Sequence, residues 1–488
     1  MSGDFSRDTS HAARLARYTR VLLQQGRPLL DADFNEQSAI HLELLRTFIA
    51  DMVGSGWRPE KEKGTGGFNV EPVPPANPKN FKITKGHFYV GGILCDNPED
   101  NCTYLEQPFL PHPDPFPSRE KFVAYIECWE RHLCAVQQPA LREIALGGPD
   151  TAARAQIVWQ VRVATADWVK EQTDQLNAAL VERIKAVAAD KNEQDALKEQ
   201  QKKALPDSTK ALLAEIKSPT ADLRAKAQDW FDALAAAPPR LRAMAKRDAS
   251  DNEACSISPD SIYRGRENQL YRVEIHQGGT LAGNVKPTFK WSRENGSVLF
   301  AVQSGKSEKS IVVAGLDGEV VTLTIPLETL GHDRRTGLCV GDWVEVTSEA
   351  FELDALAPPL GQLKQIDRTR RSVVVQVVKL TGSTFDFADF GACTLLRRWD
   401  QTEHLEANGT VAVAEATVTN AWMPLECGVQ IQFQPGGVYR TGDYWLIPAR
   451  VASGDVLWPQ GDDGQGISGP TFVAPDGITR HRAAIHGS

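Results

Sequence analysis

The sequence predicts an α+β protein, mainly antiparallel β built as small barrels or a sandwich, with an N-terminal helical element and an inserted helical hairpin or bundle. Three observations predict it. Short runs with period-two alternation, bounded by Gly, Pro, Asn or Asp, recur from Phe81 to Val163 and again after Cys255. Apolar residues at helical intervals mark the first sixty positions, and the same spacing in an Ala-, Lys-, Glu- and Gln-rich background fills Ala166 to about Arg247. With 488 residues the chain exceeds one ordinary core and fits two to four domains, since single cores rarely grow past about 250 to 300 residues.

The N-terminal element reads as a short helix near His11 to Leu23 and a second helix beginning at Asp33. Asp33 and Glu36 have capping-box spacing, and Phe34, Ile40, Leu44, Leu45, Phe48, Ile49, Met52 and Val53 follow at helical intervals. That apolar stripe needs a surface to cover, either the protein's own core or another subunit, because such helices gain most of their stability from packing. Residues 1–55 therefore form a helical element, and the Gly-, Pro-, Lys- and Glu-rich residues 56–80 a linker or extended arm.

A β region is expected over residues 81–165, continued by 250–335. Ile157, Trp159, Val161 and Val163 alternate cleanly, and Asn295-Gly296, flanked by Phe289–Glu294 and Ser297–Val302, carries the turn pair preferred in type I′ hairpins. Residues 166–249 are the helical insertion. Val169, Leu176, Leu180, Ile184 and Val187 make one seam, and Leu223, Ala227, Trp230 and Leu234 another, after breaks at Pro206 and Pro219. Residues 336–400 read as a small barrel-like region and 401–488 as a C-terminal β region with an extended tail from Ser468. Gly341-Asp342-Trp343 and Gly442-Asp443-Tyr444, with Gly454-Asp455 as a looser third, share a turn habit too short to be a repeat.

Composition excludes several classes. A count of 54 Lys plus Arg against 63 Asp plus Glu, formal net −9, argues against a nucleic-acid footprint over the whole molecule. The first twenty residues are polar and lack the apolar stretch of a secretory signal, so synthesis and folding in the cytoplasm are expected. No apolar run reaches the roughly 18 to 20 residues needed to span a bilayer, which leaves no direct membrane insertion. The eight cysteines are scattered without a CxxC pair, and they read as small buried residues; Cys95–Cys102 and Cys128–Cys134 are the bridges that spacing allows.

No P-loop, dinucleotide fingerprint, HExxH, GxSxG or DxDxDG motif occurs, so no cofactor or metal is implied and no enzyme class is signalled. Gly331-His332-Asp333-Arg334-Arg335 places a His beside an Asp, but without a nucleophile at a recognisable spacing it reads as a charged loop. Arg264 to Gln269 reads as a hydrogen-bonding loop. Trp129, Trp159, Trp291, Trp343, Trp399, Trp445 and Trp458 fall in or beside predicted strands, where core packing competes with sugar stacking and is favoured. Arg14, Arg17 and Arg20 line one face of the predicted first helix, solvated or meeting an acidic neighbour.

Several stretches carry a resemblance: Ser6 to Thr9, Val21 to Gln37 (VLLQQGRPLLDADFNEQ), Ala145 to Asp150, Arg264 to Ile275, Phe289 to Val298, Thr336 to Val346 and Pro435 to Arg450. Together they resemble a domain-of-unknown-function family encoded in bacterial extracellular contractile injection system clusters, which are phage-tail-like particles. The resemblance covers nearly the whole chain except Ala166 to Arg247 and the last ten or so residues. It implies a non-enzymatic structural component, baseplate-associated as a cage, arm or fibre attachment, present in multiple symmetric copies beside baseplate, spike or sheath neighbours and released with the particle. The alternatives are an injected effector or cargo, and a particle-borne carbohydrate-binding or glycan-cleaving protein. The resemblance also makes the N-terminal stretch a docking element, with Tyr18, Leu22, Gln25, Gly26, Arg27, Asp31, Asp33, Phe34, Asn35, Glu36 and Gln37 as its contact residues. Physically, Gly26 permits a tight turn, Pro28 fixes φ on leaving it, and Asp31 and Asp33 offer caps for a helix-turn-helix.

Overall fold

The computed structural model describes residue 3 and residues 17–59, 67–72, 80–117, 120–187, 191–245, 263–303, 311–317, 320–378, 390, 392–416, 422–462 and 468–487. The fold is α+β, with mostly antiparallel sheets, an N-terminal helix and a central helical segment. Its two longest strands, Phe122–Leu133 and Arg154–Thr165, pair antiparallel along their whole length. Alternation sends Ala124, Ile126 and Cys128 into a core with Phe68, Phe88 and Trp159, and sends Val123 and Tyr125 the other way, against helices. Both faces of the sheet are covered.

The third strand of this sheet is His481–Gly487, which pairs with Phe122–Leu133 and buries Ala483, Ala484 and Ile485. The expected extended tail is therefore structural: Ser468–Pro470 forms a small hairpin with Gln460–Asp462, and the last strand closes the core sheet.

The inserted helices are α2 (Ala166–Ala186), α3 (Lys191–Glu199), α4 (Leu205–Lys217) and α5 (Leu223–Ala235). Thr165 caps α2 by accepting from the Trp168 backbone N–H at 3.3 Å. Val169, Leu176, Leu180, Leu212, Ala227, Trp230 and Leu234 form one core that continues onto Val123 and Tyr125 of the sheet. Pro206 does not break the helix as expected. A π turn over Gln200–Ala204 joins α3 to α4, and the widened turn just before the proline accommodates a residue that cannot donate.

After the insertion the chain builds two larger sheets. The five-stranded one runs in the order Val411–Ala412, Thr288–Ser292, Gln269–Gln277, Tyr444–Arg450, Asp455–Val456. The seven-stranded half-barrel runs Leu299–Ala301, Leu395–Trp399, Trp343–Thr347, Leu360–Asp367, Ser372–Val378, Val320–Pro326, Val312–Asp317. Each has its own apolar core.

The turn at Asn295-Gly296 has the positive φ that its residues predict, 50° and 65°, but it does not close a hairpin. Thr288–Ser292 pairs within the five-stranded sheet and Leu299–Ala301 within the seven-stranded one, so the turn hands the chain from one sheet to the other. The Gly-Asp-aromatic habit is a true shared turn. The Gly341 N–H donates to the Leu363 carbonyl and the Leu363 N–H to the Asp342 carbonyl, at 2.8 and 2.9 Å; Gly442, Ile275 and Asp443 repeat the pattern at 2.9 and 2.8 Å.

Candidate docking surface

Helix α1 (Asp31–Val53) starts two residues earlier than its spacing predicts. Its N-cap is Leu30, which makes no side-chain cap bond, so Asp31 and Asp33 do not cap; they lie in the first turn, where they favour the positive end of the helix dipole. Glu36 likewise lies inside the helix, so the Asp33/Glu36 capping box is not formed.

The helix-turn-helix is also corrected. Residues 17–30 are a non-helical strap, while His11 to Ala16 lie outside the described residues. Arg17 has φ 61°, a left-handed conformation that stops helical continuation, and Gly26 (φ 72°) and Pro28 keep the following segment extended. Arg17 and Arg20 therefore form no helical stripe. The turn survives in smaller form: the Arg27 N–H donates to the Gln24 carbonyl at 3.3 Å. Gln37 ties strap to helix, its Oε1 accepting from the Val21 N–H at 2.8 Å.

The orientation of α1 is the feature that periodicity left open. Its inward side is mixed: Ile49, Ala50 and Val53 are half-buried, and Arg46 donates from Nη1 and Nη2 to the two Glu130 carboxylate oxygens at 3.1 and 2.8 Å. Gly92, at φ 79°, lets the helix come close, since a Cβ there would stand 2.2 Å from the Arg46 carbonyl oxygen. Ile40 is the helix's buried apolar residue. Phe34, Leu44, Leu45, Phe48 and Met52 are each more than half exposed, and Tyr18, Leu22, Leu23, Leu29 and Leu30 extend the same character along the strap. Of the eleven predicted docking residues, Tyr18, Leu22, Gln25, Gly26, Arg27, Asp31, Phe34 and Asn35 are exposed; Asp33, Glu36 and Gln37 are half-buried. The larger apolar contributors, Leu45, Phe48 and Met52, sit further along the helix, in the stripe that spacing marked but did not orient.

The other singled-out motifs take structural positions. Asp333 accepts from the Thr336 N–H at 2.7 Å, and buried Arg398 donates to the carbonyls of Arg334, Arg335 and Gly337, fixing the loop from inside. Arg335 then reaches Glu294 at 2.7 Å and Glu267 at 3.2 Å, joining this loop to Arg264–Gln269. Asn268 accepts from the Val451 N–H at 3.0 Å. Six of the seven strand tryptophans are buried and Trp343 is half-buried. Neither of the disulfides that spacing allowed forms. The seven described cysteines are free thiols, with Cys95 hydrogen-bonded to Cys128, a contact that together with burial holds its pKa well above the usual thiol range.

Sequence reasoning missed a buried charge network between the two large sheets. Along Gln269–Gln277, Tyr271, Val273 and Ile275 face an apolar core, and the alternate residues Arg272, Glu274 and His276 are buried as well. Lys290 contacts Glu345 and stands 3.2 Å from Glu274, Arg272 donates to Glu274 at 2.6 Å, and Trp399 Nε1 donates to Glu345 at 2.7 Å. Burial alone would raise the Glu274 pKa, but Arg272 and Lys290 outweigh it and bring the carboxyl down to about 2. Burial, with Lys290 nearby, pushes His276 well below its ordinary value. The cavity beside these groups measures about 90 Å³, room for a few waters. Arg272, Glu274, Lys290 and Glu345 pair with one another across it as a junction between sheets, while Glu352, whose pKa burial raises, also lines it, and Arg397 Nε makes no hydrogen bond among the described residues. Among the described residues no cluster of three or more His, Cys, Asp or Glu is placed to hold a metal, and no helix is long and apolar enough to cross a membrane.

Fold and surface together define a multi-sheet α+β protein whose first helix turns its apolar face outward. The sequence matches DUF6519, a family of unknown function, over residues 1–488, and the chain belongs to that family. No curated protein matches it. Among solved structures, the crystal structure of TssK aligns over 85% of this chain and 98% of that one, at 7% identity and a TM-score of 0.18, a likeness too slight to carry an argument.

Proposed function

We propose that this protein is a non-enzymatic structural component of a phage-tail-like contractile injection particle, baseplate-associated, which docks to its neighbours through the strap and α1. The observation that carries the docking reading is the outward apolar face from Tyr18 to Met52, held to the body by the polar Arg46–Glu130 clamp. Isolated exposed leucines are ordinary, but Leu44, Leu45, Phe48 and Met52 clustered on the outward side of one helix, with Phe34 beyond Ser38 and His41, mark an interaction site. The assignment to an injection particle rests on the resemblance carried by Val21–Gln37 and the later stretches, within a family that spans the chain. The sugar-binding alternative draws less support because its candidate indoles are packed inside.

Electron cryomicroscopy of intact particles tests the reading. Ordered copies at symmetric baseplate positions are expected, with α1 against a neighbour. Deleting residues 1–55 should abolish incorporation; normal incorporation of that variant, in a chain that keeps its fold, would sink docking through this element.

A further inference from the structure

We propose that a second copy of this chain covers α1, in an antiparallel helix pair where the arginine-bearing strap of each copy lies against the C-terminal end of the other helix, which carries Asp51 and the negative end of the helix dipole. The inference rests on the docking reading above and names the occupant of that surface.

The spacing of the outward face is the first argument. Phe34, Ser38, His41, Leu45, Phe48 and Met52 are all exposed and fall at alternating steps of four and three, the 3.5-residue repeat of a helix–helix seam. A parallel pair would set Ser38 on Ser38 and His41 on His41, leaving a gap and a polar contact at the centre. The antiparallel arrangement sets Phe34 level with the second copy's Met52, Ser38 with its Phe48 and His41 with its Leu45. Ser38 then meets the larger Phe48 and His41 the apolar Leu45, so neither polar residue faces its own copy.

Charge supplies the second. Helix α1 carries Asp31, Asp33, Glu36, Glu43 and Asp51 against a single cation, Arg46, which Glu130 already engages. Its last turn holds no basic residue, so the negative end of its dipole is not offset. Two such helices alone would repel. The strap is the complement: Arg17, Arg20 and Arg27 are exposed, and residues 17–30 contain no acidic side chain. The Val21–Gln37 bond pins the strap beside the N-terminal half of its own helix. Antiparallel pairing brings the second copy's C-terminal half, with Asp51, to that place. Two equivalent contacts form by symmetry, as an isologous interface demands.

The test uses the full chain in a Cys427→Ser background, because Cys427 is an exposed thiol. Sedimentation equilibrium up to about 100 µM is expected to give twice the chain mass. Leu45→Glu with Phe48→Glu should return the single-chain mass at an unchanged unfolding temperature. Arg20→Glu should weaken the dimer about tenfold, and adding Asp51→Arg should restore it. Under mild oxidation a mixture of Ser38→Cys and Phe48→Cys chains should cross-link to each other, and Ser38→Cys alone should not.

A monomer throughout that range, a dimer untouched by the double glutamate variant, or Ser38→Cys linking to itself would each overturn the pairing. A monomeric chain whose Leu45→Glu/Phe48→Glu variant fails to enter particles overturns the pairing alone and leaves docking intact. Normal entry of the 1–55 deletion overturns docking itself.

Discussion

Helix α1 and the inserted helices α2–α5 carry the same sequence signature, apolar residues every three or four positions, and the structure disposes of them in opposite ways. In the insertion, Val169, Leu176, Leu180, Ala227 and Trp230 close on one another and on the strand Phe122–Leu133. In α1, Phe34, Leu45, Phe48 and Met52 face outward, while Arg46 attaches the helix through an ion pair. Periodicity announces a stripe and leaves its occupant unnamed. What separates the two cases is how each helix is held: a body glycine admits the backbone of both, Gly92 at Arg46 and Gly436 at Ala179, but α1 is fixed there by the bidentate Arg46–Glu130 pair and the insertion by its apolar core.

Truncation in each region should break the comparison most sharply. Trp230 is fully buried among Trp168 and Phe231, so Trp230→Ala should cost about 3 to 5 kcal/mol in chemical denaturation. Phe48→Ala, in dilute protein, should stay within about 0.5 kcal/mol. A comparable loss for Phe48→Ala would mean that α1 is held by its apolar face after all.

The two polar attachments sharpen the same contrast at smaller scale. Lys290 is 2% exposed and touches Glu345 and Glu274, so Lys290→Met leaves Glu345 buried without its cation and Glu274 with Arg272 alone, and should cost about 3 kcal/mol or more. The side chains of Arg46 and Glu130 are 21% and 24% exposed, and solvent screens them; Arg46→Met should cost about 1 kcal/mol or less. Urea unfolding of both variants decides, and equal costs would erase the distinction between an interior junction and a surface clamp.

How much of this was legible follows from where partners lie along the chain. The strands, α1 and the insertion were readable because their signals are local: alternation and spacing. The strand exchange at Asn295-Gly296 was not, since φ at the turn is set by two residues while its flanking strands pair elsewhere, Thr288–Ser292 with Gln269–Gln277 and Leu299–Ala301 with the far downstream Leu395–Trp399. Polar alternation in Arg272, Glu274 and His276 reads as a wet face, yet another sheet covers it, and only the complementary Lys290 and Glu345 make that cover tolerable. The terminal strand His481–Gly487 gave no strong period because its burial depends on Phe122–Leu133, far upstream. At the docking surface, Gly26 and Pro28 did predict a turn. That residues 17–23 are not helical goes with Arg17 at positive φ, which no residue pattern signals for an arginine.

The smallest expected effect probes how the strap is held to α1. Gln37 Oε1 accepts from the Val21 N–H at 2.8 Å, and Gln37 Nε2 lies 2.9 Å from His41 Nε2. Gln37→Ala removes both contacts in a half-exposed place, so global stability should fall by about 0.5 to 1 kcal/mol at most. The strap itself should respond far more. Freed from the helix, Arg17 and Arg20 lie on an unpinned extended segment, and trypsin should cut after them several times faster than in the parent chain, with cleavage in α2–α5 unchanged; Arg27 is followed by Pro28 and resists the protease in both chains. Unaltered cleavage would mean that the apolar side chains of the strap, rather than this bond, set its path, and the strap would then belong with the insertion as a segment ordered by packing.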